Sequence, residues 1–255
     1  MNELSRFLFN VSRTVFTFRE IARHLMRNPP LDAVLDMYRK FRGTRITTNT
    51  GNVQERFGRI YAEGIWKNGI DGLPSSGEGS SLESTEAIRS GLPDLLDKIG
   101  SKHLLDIGCG DFTWMQHVNI SQRYTGIDIV DSVVKRNQAN FGNKNRQFGT
   151  IDAISQTIPE CDTVLCREIL FHLSFNDGIG LIRNILSTNC NYLIATTDGI
   201  TDFNSDIKTG DFRLLNLQRS PFSFPTPEAF LVDSAIVPGR LLAVWSIDQV
   251  RTSLS

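Results

Sequence analysis

From residue 102 onward, short apolar runs alternate with more polar segments of helical length. Each run is bounded by turn residues, which is typical of buried strands. The runs read HLLDIG, YTGIDIV, RQFGTI, CDTVLC and NYLIATT, at residues 103–108, 124–130, 146–151, 161–166 and 191–197. Strands separated by helices form parallel sheets through right-handed crossovers, and such sheets are buried on both faces. The pattern therefore predicts an α/β fold.

The end of the chain predicts a different strand arrangement. Residues 228–247 contain two apolar runs on either side of the turn PGR, at residues 238–240. Two such runs joined by a tight turn form an antiparallel hairpin. With the parallel strands, this hairpin completes a doubly wound, mostly parallel seven-stranded sheet with helices on both faces.

The first 50 residues predict a helical extension. Apolar residues recur every three or four positions from Leu4 to Leu25, which indicates an amphipathic helix that ends at NPP, residues 28–30. A second short helix is predicted over residues 31–41. The polar segment 42–52 follows as a candidate linker. We assign residues 1–50 to this basic extension and linker.

Residues 51–100 are predicted to form a helical cap ahead of the core, which spans residues 101–255. Helical segments at residues 53–66 and 82–100 flank a loop rich in Gly and Ser at residues 68–81. The second segment has Ser81 or Ser84 near its N-cap and Gly100 at its end.

The composition narrows the class of protein. The chain has 255 residues, of which 40% are hydrophobic, enough for one substantial core. Its formal net charge of -1 gives no global field towards nucleic acid. Residues 1–50 carry nine Lys and Arg against four Asp and Glu, about +5, which leaves about -6 on the rest. The basic helix is expected to pack on the core or a second subunit, or else to contact an anionic membrane surface peripherally.

The cysteines indicate neither a zinc site nor a disulfide framework. The four of them form no CxxC pair and have no ligand spacing with the four histidines. A reducing, cytoplasmic location fits best. No apolar run approaches the roughly 20 residues that span a bilayer, and the N-terminus lacks the pattern of a signal peptide.

Candidate chemistry begins at LLDIGCGDF, residues 104–112. There the first strand runs into Gly108 and Gly110, which allow a sharp turn and close approach of a ligand to the backbone. A dinucleotide fingerprint would have a further glycine at Thr113, so phosphate binding is disfavoured. The second strand ends at Asp128, whose carboxylate can accept hydrogen bonds from both ribose hydroxyls. These features favour an adenosyl ligand without phosphates.

The chain resembles the seven-stranded class I S-adenosylmethionine-dependent methyltransferases over residues 102–247. LLDIGCGD, GIDIV and CDTVLCREILFHL fall in that family's order. The resemblance implies S-adenosylmethionine as cofactor. It also implies these contacts: Asp106, Gly108 and Gly110 for the amino acid end of the cofactor, Asp128 with Ile129 for the ribose, and Asp152 for adenine unless it is an exposed loop acid.

One departure from the family lies in the glycine turn. The frequent third glycine is Phe112 here, so the loop is expected to be stiffer and partly walled by an aromatic ring. The stretch DFTWM therefore either shapes the pocket or places Trp114 in the core.

Two further stretches resemble small bacterial methyltransferases associated with glycan assembly, which methylate sugar hydroxyls. One is the pre-core cap IYAEGIW with SSGEGSSLESTEAIRSGLPDLL, and the other is FNSDIKTGDFRLLNLQRSPFSFPTP, residues 203–227. In the cap, the amides of Gly77, Gly79 and Ser80 are candidates to close over the cofactor. Arg89 either pairs with the cofactor carboxylate or lies on a solvated helix face. Arg167, after the fourth strand, is a further candidate contact.

Methyl transfer to a hydroxyl requires an aligned acceptor and a group that takes up a proton. His172 is the first candidate base, and Glu168 is expected to orient its imidazole. If a helix began at Glu168, the spacing of four would place both side chains on one face. Asp198 is the alternative base. Each has a structural alternative: His172 as a packed or capping histidine, and Glu168 as a cofactor contact without catalysis.

A metal is not expected at this pair. Similar E-x-x-x-H stretches occur in quinone O-methyltransferases, where a carboxylate between the two residues helps to bind a metal. Phe171 stands at that position here.

The long segment at residues 198–227 mixes polar and aromatic residues, a combination that suits a sugar. Its candidate substrate contacts are Asn204, Asp211, Arg213, Asn216 and Phe222. The alternative is a loop that buries its phenylalanines and leaves its charges in water.

Three functions remain open from the sequence. The first is O-methylation of a sugar hydroxyl, with a sugar or another small hydroxylated acceptor as partner. The second is methylation of a small lipid or natural-product hydroxyl, and the third is a non-catalytic adenosyl-binding subunit. The adenine N-methyltransferase signature is absent after the fourth strand, where CREI stands, and the weak net charge also disfavours nucleic acid.

Overall fold

The structure, a computed structural model, describes residues 51–67 and 72–254. The helices predicted over residues 4–25 and 31–41, and most of the predicted linker, lie outside these residues. Within the part that the structure describes, each helix is too short or too polar to cross a membrane.

Within the described residues, seven strands form one sheet in the order β3-β2-β1-β4-β5-β7-β6. The first five pair in parallel, whereas β7 runs antiparallel to both β5 and β6. Their bounds are β1 His103–Ile107, β2 Arg123–Asp128, β3 Arg146–Thr150, β4 Thr163–Cys166, β5 Tyr192–Asp198, β6 Ala229–Val232 and β7 Arg240–Ser246. The predicted fold class, including the C-terminal hairpin, is confirmed.

In the part of the chain that the structure describes, five α-helices flank the sheet. They are α1 Val53–Ala62, α2 Glu86–Lys98, α3 Asp131–Phe141, α4 Phe175–Leu186 and α5 Ile247–Ser253. A capping box begins α1, in which Asn52 Oδ1 accepts from Glu55 N–H and Glu55 Oε2 accepts from Asn52 N–H. The helix predicted over residues 53–66 is shorter in the structure: Gly64 is left-handed at φ 62°, and a short 3-10 turn at Ile65–Lys67 follows.

The start of α2 differs from the prediction. The helix begins at Glu86, after Thr85, and neither Ser81 nor Ser84 caps it. Instead the Ser81 hydroxyl oxygen accepts from Ser84 N–H at 3.1 Å and closes a turn ahead of the helix. The predicted end at Gly100, φ 72°, agrees with the observed last residue, Lys98.

The hydrophobic core has two layers, one on each face of the sheet. Alternate strand residues point to opposite faces, so Leu104, Leu165 and Ile194 pack with α2, whereas Leu105, Val164 and Leu193 pack with α4. The first layer includes Ile88, Leu92, Leu95 and Leu96 of α2, and the second includes Leu181, Ile182 and Ile185 of α4. Burial on both faces explains why the strands read as continuous apolar runs.

The sheet also positions the candidate site. Because β1, β2 and β4 are parallel, their carboxyl ends meet at one edge, where the crevice of a doubly wound sheet lies. Gly108 and Glu168 lie in the turns after β1 and β4, and Asp128 is the last residue of β2.

Candidate functional site

A pocket opens at this edge of the sheet, between the strand ends and the cap segment that precedes the core. Its walls come from α1 and the turn after it, the loop before α2, and the turns after β1, β2 and β4. The lining residues are Tyr61, Trp66, Ser76, Ser80, Asp106, Gly108, Cys109, Gly110, Trp114, Asp128, Arg167, Glu168, Ile169 and His172. Most of the sequence-predicted cofactor and base residues therefore meet in one pocket.

The turn after β1 requires both of its glycines. Gly108 and Gly110 are left-handed, with φ of 68° and 56°, a conformation that side chains with a Cβ rarely adopt. A Cβ on Gly108 would also overlap the side chain of Ile169, and one on Gly110 would lie 3.2 Å from the Tyr61 hydroxyl. The backbone here thus lies close against the groups that line the pocket.

Phe112 corrects one expectation. The residue is left-handed at φ 61°, yet its ring points into the core and is 1% exposed. It packs against Tyr124, Phe141 and Phe148, with ring centroids 5.0–5.4 Å away. Trp114 does both things expected of this stretch, since it packs in the core at 6% exposure and also lines the pocket, where the Arg167 guanidinium stacks over it at 5.3 Å.

Asp128 joins β2 to the glycine turn. Its Oδ2 accepts from Gly110 N–H at 3.1 Å, and its Oδ1 accepts from Val130 N–H at 3.0 Å. The carboxyl group is buried, and burial raises its pKa despite these backbone hydrogen bonds. Ile129, next to it, is half-buried and is not among the lining residues.

Asp106 is the second buried acid of the pocket. Burial raises its pKa to about 7, although the Tyr124 hydroxyl donates to its Oδ2 at 2.6 Å and lowers the pKa. The neighbouring charge of Asp128 raises the pKa further, and that of Arg167 lowers it. The carboxyl group of Asp106 therefore titrates near neutral pH.

The cap loop is tied to the core at two points. Ser76 donates to Asp111 through its amide at 3.2 Å and its hydroxyl at 2.7 Å. Arg167 Nη1 donates to the carbonyl of Gly79 at 2.9 Å. Ser80 reaches the pocket, whereas the amide of Gly77 donates to Pro74 O at 3.0 Å. These bonds close the loop over the glycine turn.

Four charged side chains form a largely buried cluster at one wall of the pocket. They are Arg167 and Glu168, which line the pocket, and Asp233 and Arg240, which lie behind them. Asp233 binds Arg167 through two hydrogen bonds of 3.0 and 3.1 Å, and its Oδ1 lies 3.4 Å from Arg240 Nη2. Glu168 Oε1 lies 2.7 Å from Arg240 Nη1 and 3.3 Å from Arg167 Nη2. Two cations and two anions balance, so the Arg167 charge, predicted to contact the cofactor, is already neutralised by protein carboxylates.

Glu168 corrects the predicted helix. Its backbone is left-handed at φ 62°, and its amide donates to Thr196 Oγ1 at 2.9 Å. The chain then forms a 3-10 turn at Leu170–His172 rather than an α-helix. Burial raises the pKa of Glu168, but the charges of Arg167 and Arg240 lower it more, so the group stays ionised. The two arginines hold the side chain, and Glu168 does not hydrogen-bond to His172.

His172 reaches the pocket from that turn, and its imidazole is oriented by the backbone. Nδ1 lies 2.8 Å from the carbonyl oxygen of Asp211. Because a carbonyl only accepts, Nδ1 carries the proton and Nε2 has a free lone pair. The ring packs against Trp66 with centroids 5.1 Å apart. Burial lowers the pKa of His172, and Arg213 adds to this, whereas Asp211 and Glu168 oppose it.

Three further predicted residues lie away from the pocket lining. Asp198 Oδ1 accepts from the amides of Ile200 and Thr201 at 3.0 and 2.9 Å, which stabilises the turn after β5. Asp152 caps its own turn by accepting from Ile154 N–H and the Ser155 hydroxyl. Arg89 donates to Leu82 O at 2.9 Å. The structure does not bring these three side chains to the other predicted residues.

The predicted substrate residues also lie away from the pocket lining. Asn204 Nδ2 donates to Asn216 O at 2.8 Å, and Asn216 Nδ2 donates to Thr201 O at 2.8 Å. Phe222 is completely buried and packs beneath α4. Arg213 is buried as well, and Asp211 contributes its backbone carbonyl to His172. Phe222 is thus packed inward, and Asn204 and Asn216 bond to carbonyls of the same loop.

Several residues of the pocket and of the charge cluster are not predicted from the sequence. Tyr61 and Trp66 are predicted only as part of a helical segment, and Arg240 only as part of a hairpin turn. Asp233 gave no signal, because a lone acid between two strands is normally exposed. Among the described residues, no group of three or more His, Cys, Asp and Glu side chains is arranged to hold a metal ion.

No family model and no curated protein matches the chain. Solved structures with a similar fold include the N-methyltransferase NodS from Bradyrhizobium japonicum WM9 in complex with S-adenosyl-l-homocysteine (18% identity, 58% of this chain, 74% of that chain, TM-score 0.43). Others are the [4+2]-cyclase SpnF (19%, 66%, 70%, 0.45) and the mitomycin 7-O-methyltransferase MmcR (16%, 76%, 71%, 0.48). These likenesses concern the fold, which does not by itself specify an activity.

Proposed function

We propose that the chain is an S-adenosylmethionine-dependent O-methyltransferase that acts on a sugar hydroxyl of a glycan or glycan precursor. One observation carries the proposal. A half-buried imidazole with a free Nε2 shares a single pocket with the glycine turn after β1 and the acid that ends β2. The imidazole can act as a general base. The glycine turn and the acid together can bind an adenosyl group.

The pocket fits this cofactor better than a phosphate ligand. Asp106 and Asp128 are both buried at its base, and two carboxylates would repel a pyrophosphate but attract a ligand that carries an ammonium and a sulfonium group. Asp128 would hold the ribose hydroxyls, and Asp106 with the glycine turn would hold the amino acid end. When bound, the cofactor supplies a methyl group already activated on sulfur.

His172 supplies the base. A sugar hydroxyl stays protonated at neutral pH, so its proton must leave as the methyl group is transferred. Since Nδ1–H is held by Asp211 O, the proton is taken up by Nε2. A lowered pKa keeps the imidazole neutral and able to accept this proton.

A sugar acceptor is supported by the wall around His172. Tyr61 and Trp66 present aromatic surface, and Glu168 presents an ionised carboxylate whose side chain is 17% exposed. Aromatic faces pack on the apolar faces of sugar rings, and a carboxylate accepts from their hydroxyls.

The proposal is tested by methyl transfer and by cofactor binding. Labelled methyl groups should move from S-adenosylmethionine onto nucleotide sugars or oligosaccharides. We expect His172→Gln to lower kcat at least about 100-fold with cofactor affinity intact, and the exposed His117→Gln to serve as a matched control with normal turnover. Asp128→Asn should weaken cofactor binding by about 1.5–3 kcal/mol, roughly 10- to 150-fold.

Each other outcome contradicts a defined part of the proposal. Cofactor binding without transfer to any acceptor would point to a non-catalytic subunit. Transfer only to lipid or natural-product hydroxyls would overturn the sugar acceptor. Near-normal turnover of His172→Gln, with an inactive Glu168→Gln or Asp198→Asn, would assign the base to that carboxylate.

A further inference from the structure

The turn that carries His172 is bonded along its whole length by one neighbouring segment, residues 210–213. Each of the four carbonyl oxygens from Leu170 to Leu173 accepts from this segment. The bonds are Arg213 Nη2 to Leu170 O (3.4 Å), Arg213 N to Phe171 O (3.1 Å), Gly210 N to His172 O (2.7 Å) and Arg213 Nη1 to Leu173 O (2.6 Å). The same segment provides the Asp211 carbonyl that receives Nδ1–H of His172. The position of the imidazole therefore depends on residues 210–213.

Arg213 supplies three of these bonds, one through its backbone amide and two through its buried guanidinium. The side chain is 2% exposed and lies over the Phe175 ring at 4.7 Å. Within the described part of the chain, no carboxylate forms an ion pair with it. Burial lowers the pKa of Arg213 to about 10, with Asp206 opposing, so the group is still charged at neutral pH. Burying a charge without an ionic partner costs free energy. The presence of Arg213 here therefore suggests a role other than stability.

The charges around His172 indicate what that role is. Glu168 approaches the imidazole from the turn after β4, and Arg213 approaches from the loop after β5, which also carries Asp211. Tyr61 and Trp66 approach from the α1 side and carry no charge. Tryptophan has no ionisable group, and burial keeps the pKa of Tyr61 well above its usual value. Glu168 favours a protonated imidazole, and its own charge is shared with Arg240 and Arg167. Arg213 is thus the cation that acts directly against protonation of His172.

We infer that Arg213 is a positioning residue for the base: its guanidinium holds the turn that carries His172, and its positive charge adds to the effect of burial in opposing protonation of the imidazole. The inference rests on the proposed role of His172 in proton transfer, and it replaces the substrate contact predicted for Arg213. A neutral residue at this position would leave the imidazole oriented less firmly and easier to protonate.

An NMR titration of the full chain tests this without any substrate. With labelled histidine, the His172 signal is identified by its loss in His172→Gln. The variants to compare are Arg213→Gln, which removes the charge but can still donate to a carbonyl, and Arg213→Lys, which keeps the charge. Arg219→Gln, at an exposed arginine of the same loop, is the matched control.

We expect His172 to titrate below the usual value of about 6.5 in the wild type, in Arg213→Lys and in Arg219→Gln. In Arg213→Gln its pKa should rise by at least about 0.5, a threefold change in the protonation constant. An unchanged value in a folded Arg213→Gln would overturn the inference. If that variant fails to fold, Arg213→Lys decides, since a rise of the His172 pKa there would overturn it equally.

Activity gives a second readout that separates the two proposals. Arg213→Lys should lower kcat about tenfold with KM for the cofactor little changed, because a single ammonium cannot hold both Leu170 O and Leu173 O. Normal kcat in that variant contradicts the positioning role of the guanidinium. A wild-type chain that shows the expected titration but transfers no methyl group contradicts the proposed function instead.

Discussion

At the scale of single residues, the charge of the pocket depends on buried acids. Asp106 lies on β1 and points to the same face of the sheet as Leu104, where an ionised group has little contact with water. Its pKa of about 7 follows from burial, which the Tyr124 hydroxyl only partly offsets. A carboxyl group in this range binds a cationic ligand only in its ionised form, so its titration controls binding.

Cofactor affinity should therefore depend on pH. The pKa of Asp106 is raised, so the neutral acid dominates at pH 5.5 and about half is ionised at pH 7. We expect the affinity for S-adenosylmethionine, measured by calorimetry, to rise about tenfold over this interval. Asp106→Asn should bind weakly and lose most of the pH dependence.

Tyr124→Phe is the matched variant for that prediction. It removes the 2.6 Å hydrogen bond that lowers the pKa of Asp106, so the rise in affinity should move to higher pH. Affinity that stays constant from pH 5.5 to 7 in the wild type would show that Asp106 does not contact the cofactor.

At the scale of elements, the strands could be predicted because their pattern has one cause. Burial on both faces requires continuous apolar residues, and each run from HLLDIG to NYLIATT occurs as a strand. The glycines of the β1 turn were predicted for a related reason, because left-handed backbone favours residues without a Cβ. The helix at Glu168 was wrong, because Glu168 adopts the left-handed conformation that sequence patterns rarely reveal.

The loop after β5 could not be predicted for a different reason. Its polar residues could hydrogen-bond to a sugar or to carbonyls of the loop itself. The sequence does not distinguish these two partners, whereas the structure does. Asn204 and Asn216 bond to loop carbonyls, and Phe222 fills the core. Composition therefore identified the kind of group present but not what it contacts.

The hairpin of β6 and β7 shows how one element fixes the pocket from behind. Asp233 follows β6, and Arg240 begins β7, where they meet Arg167 and Glu168 from the end of β4. Each charge in this cluster is at least four-fifths buried, so its partners replace the water that it has lost.

Removal of Asp233 should consequently destabilise the protein strongly. Asp233→Ala leaves Arg167 and Arg240 buried beside a single carboxylate, which costs about 3–5 kcal/mol. A loss of that size lowers the melting temperature by roughly 10 °C for a chain of this length. The matched control is Asp202→Ala, whose partner Arg219 lies 3.8 Å away at the surface and whose loss should leave the melting temperature nearly unchanged. Equal shifts in the two variants would contradict a structural role for the buried cluster.

At the scale of the whole molecule, the pocket is assembled from segments far apart in the sequence. Tyr61 and Trp66 precede the core, Ser76 and Ser80 belong to the cap loop, and the remaining walls come from three strand ends. A ligand that contacts all of them should couple the cap to the sheet, since the loop already bonds to Asp111 and to Arg167. Binding should therefore stabilise the chain as one unit.

Hydrogen exchange, followed segment by segment, measures that coupling. At a concentration about 100 times its Kd, S-adenosylmethionine should add about 2.7 kcal/mol of stability and slow exchange in α1, in the loop at residues 74–81 and in the turn after β1. Amides at the opposite edge of the sheet, such as Asp162, serve as an internal control, since they lie outside the pocket and should change only through global unfolding. At the same ligand concentration, Asp128→Asn should show most of this protection lost. Protection limited to the turn after β1, with the cap loop unchanged, would mean that the cap takes no part in cofactor binding.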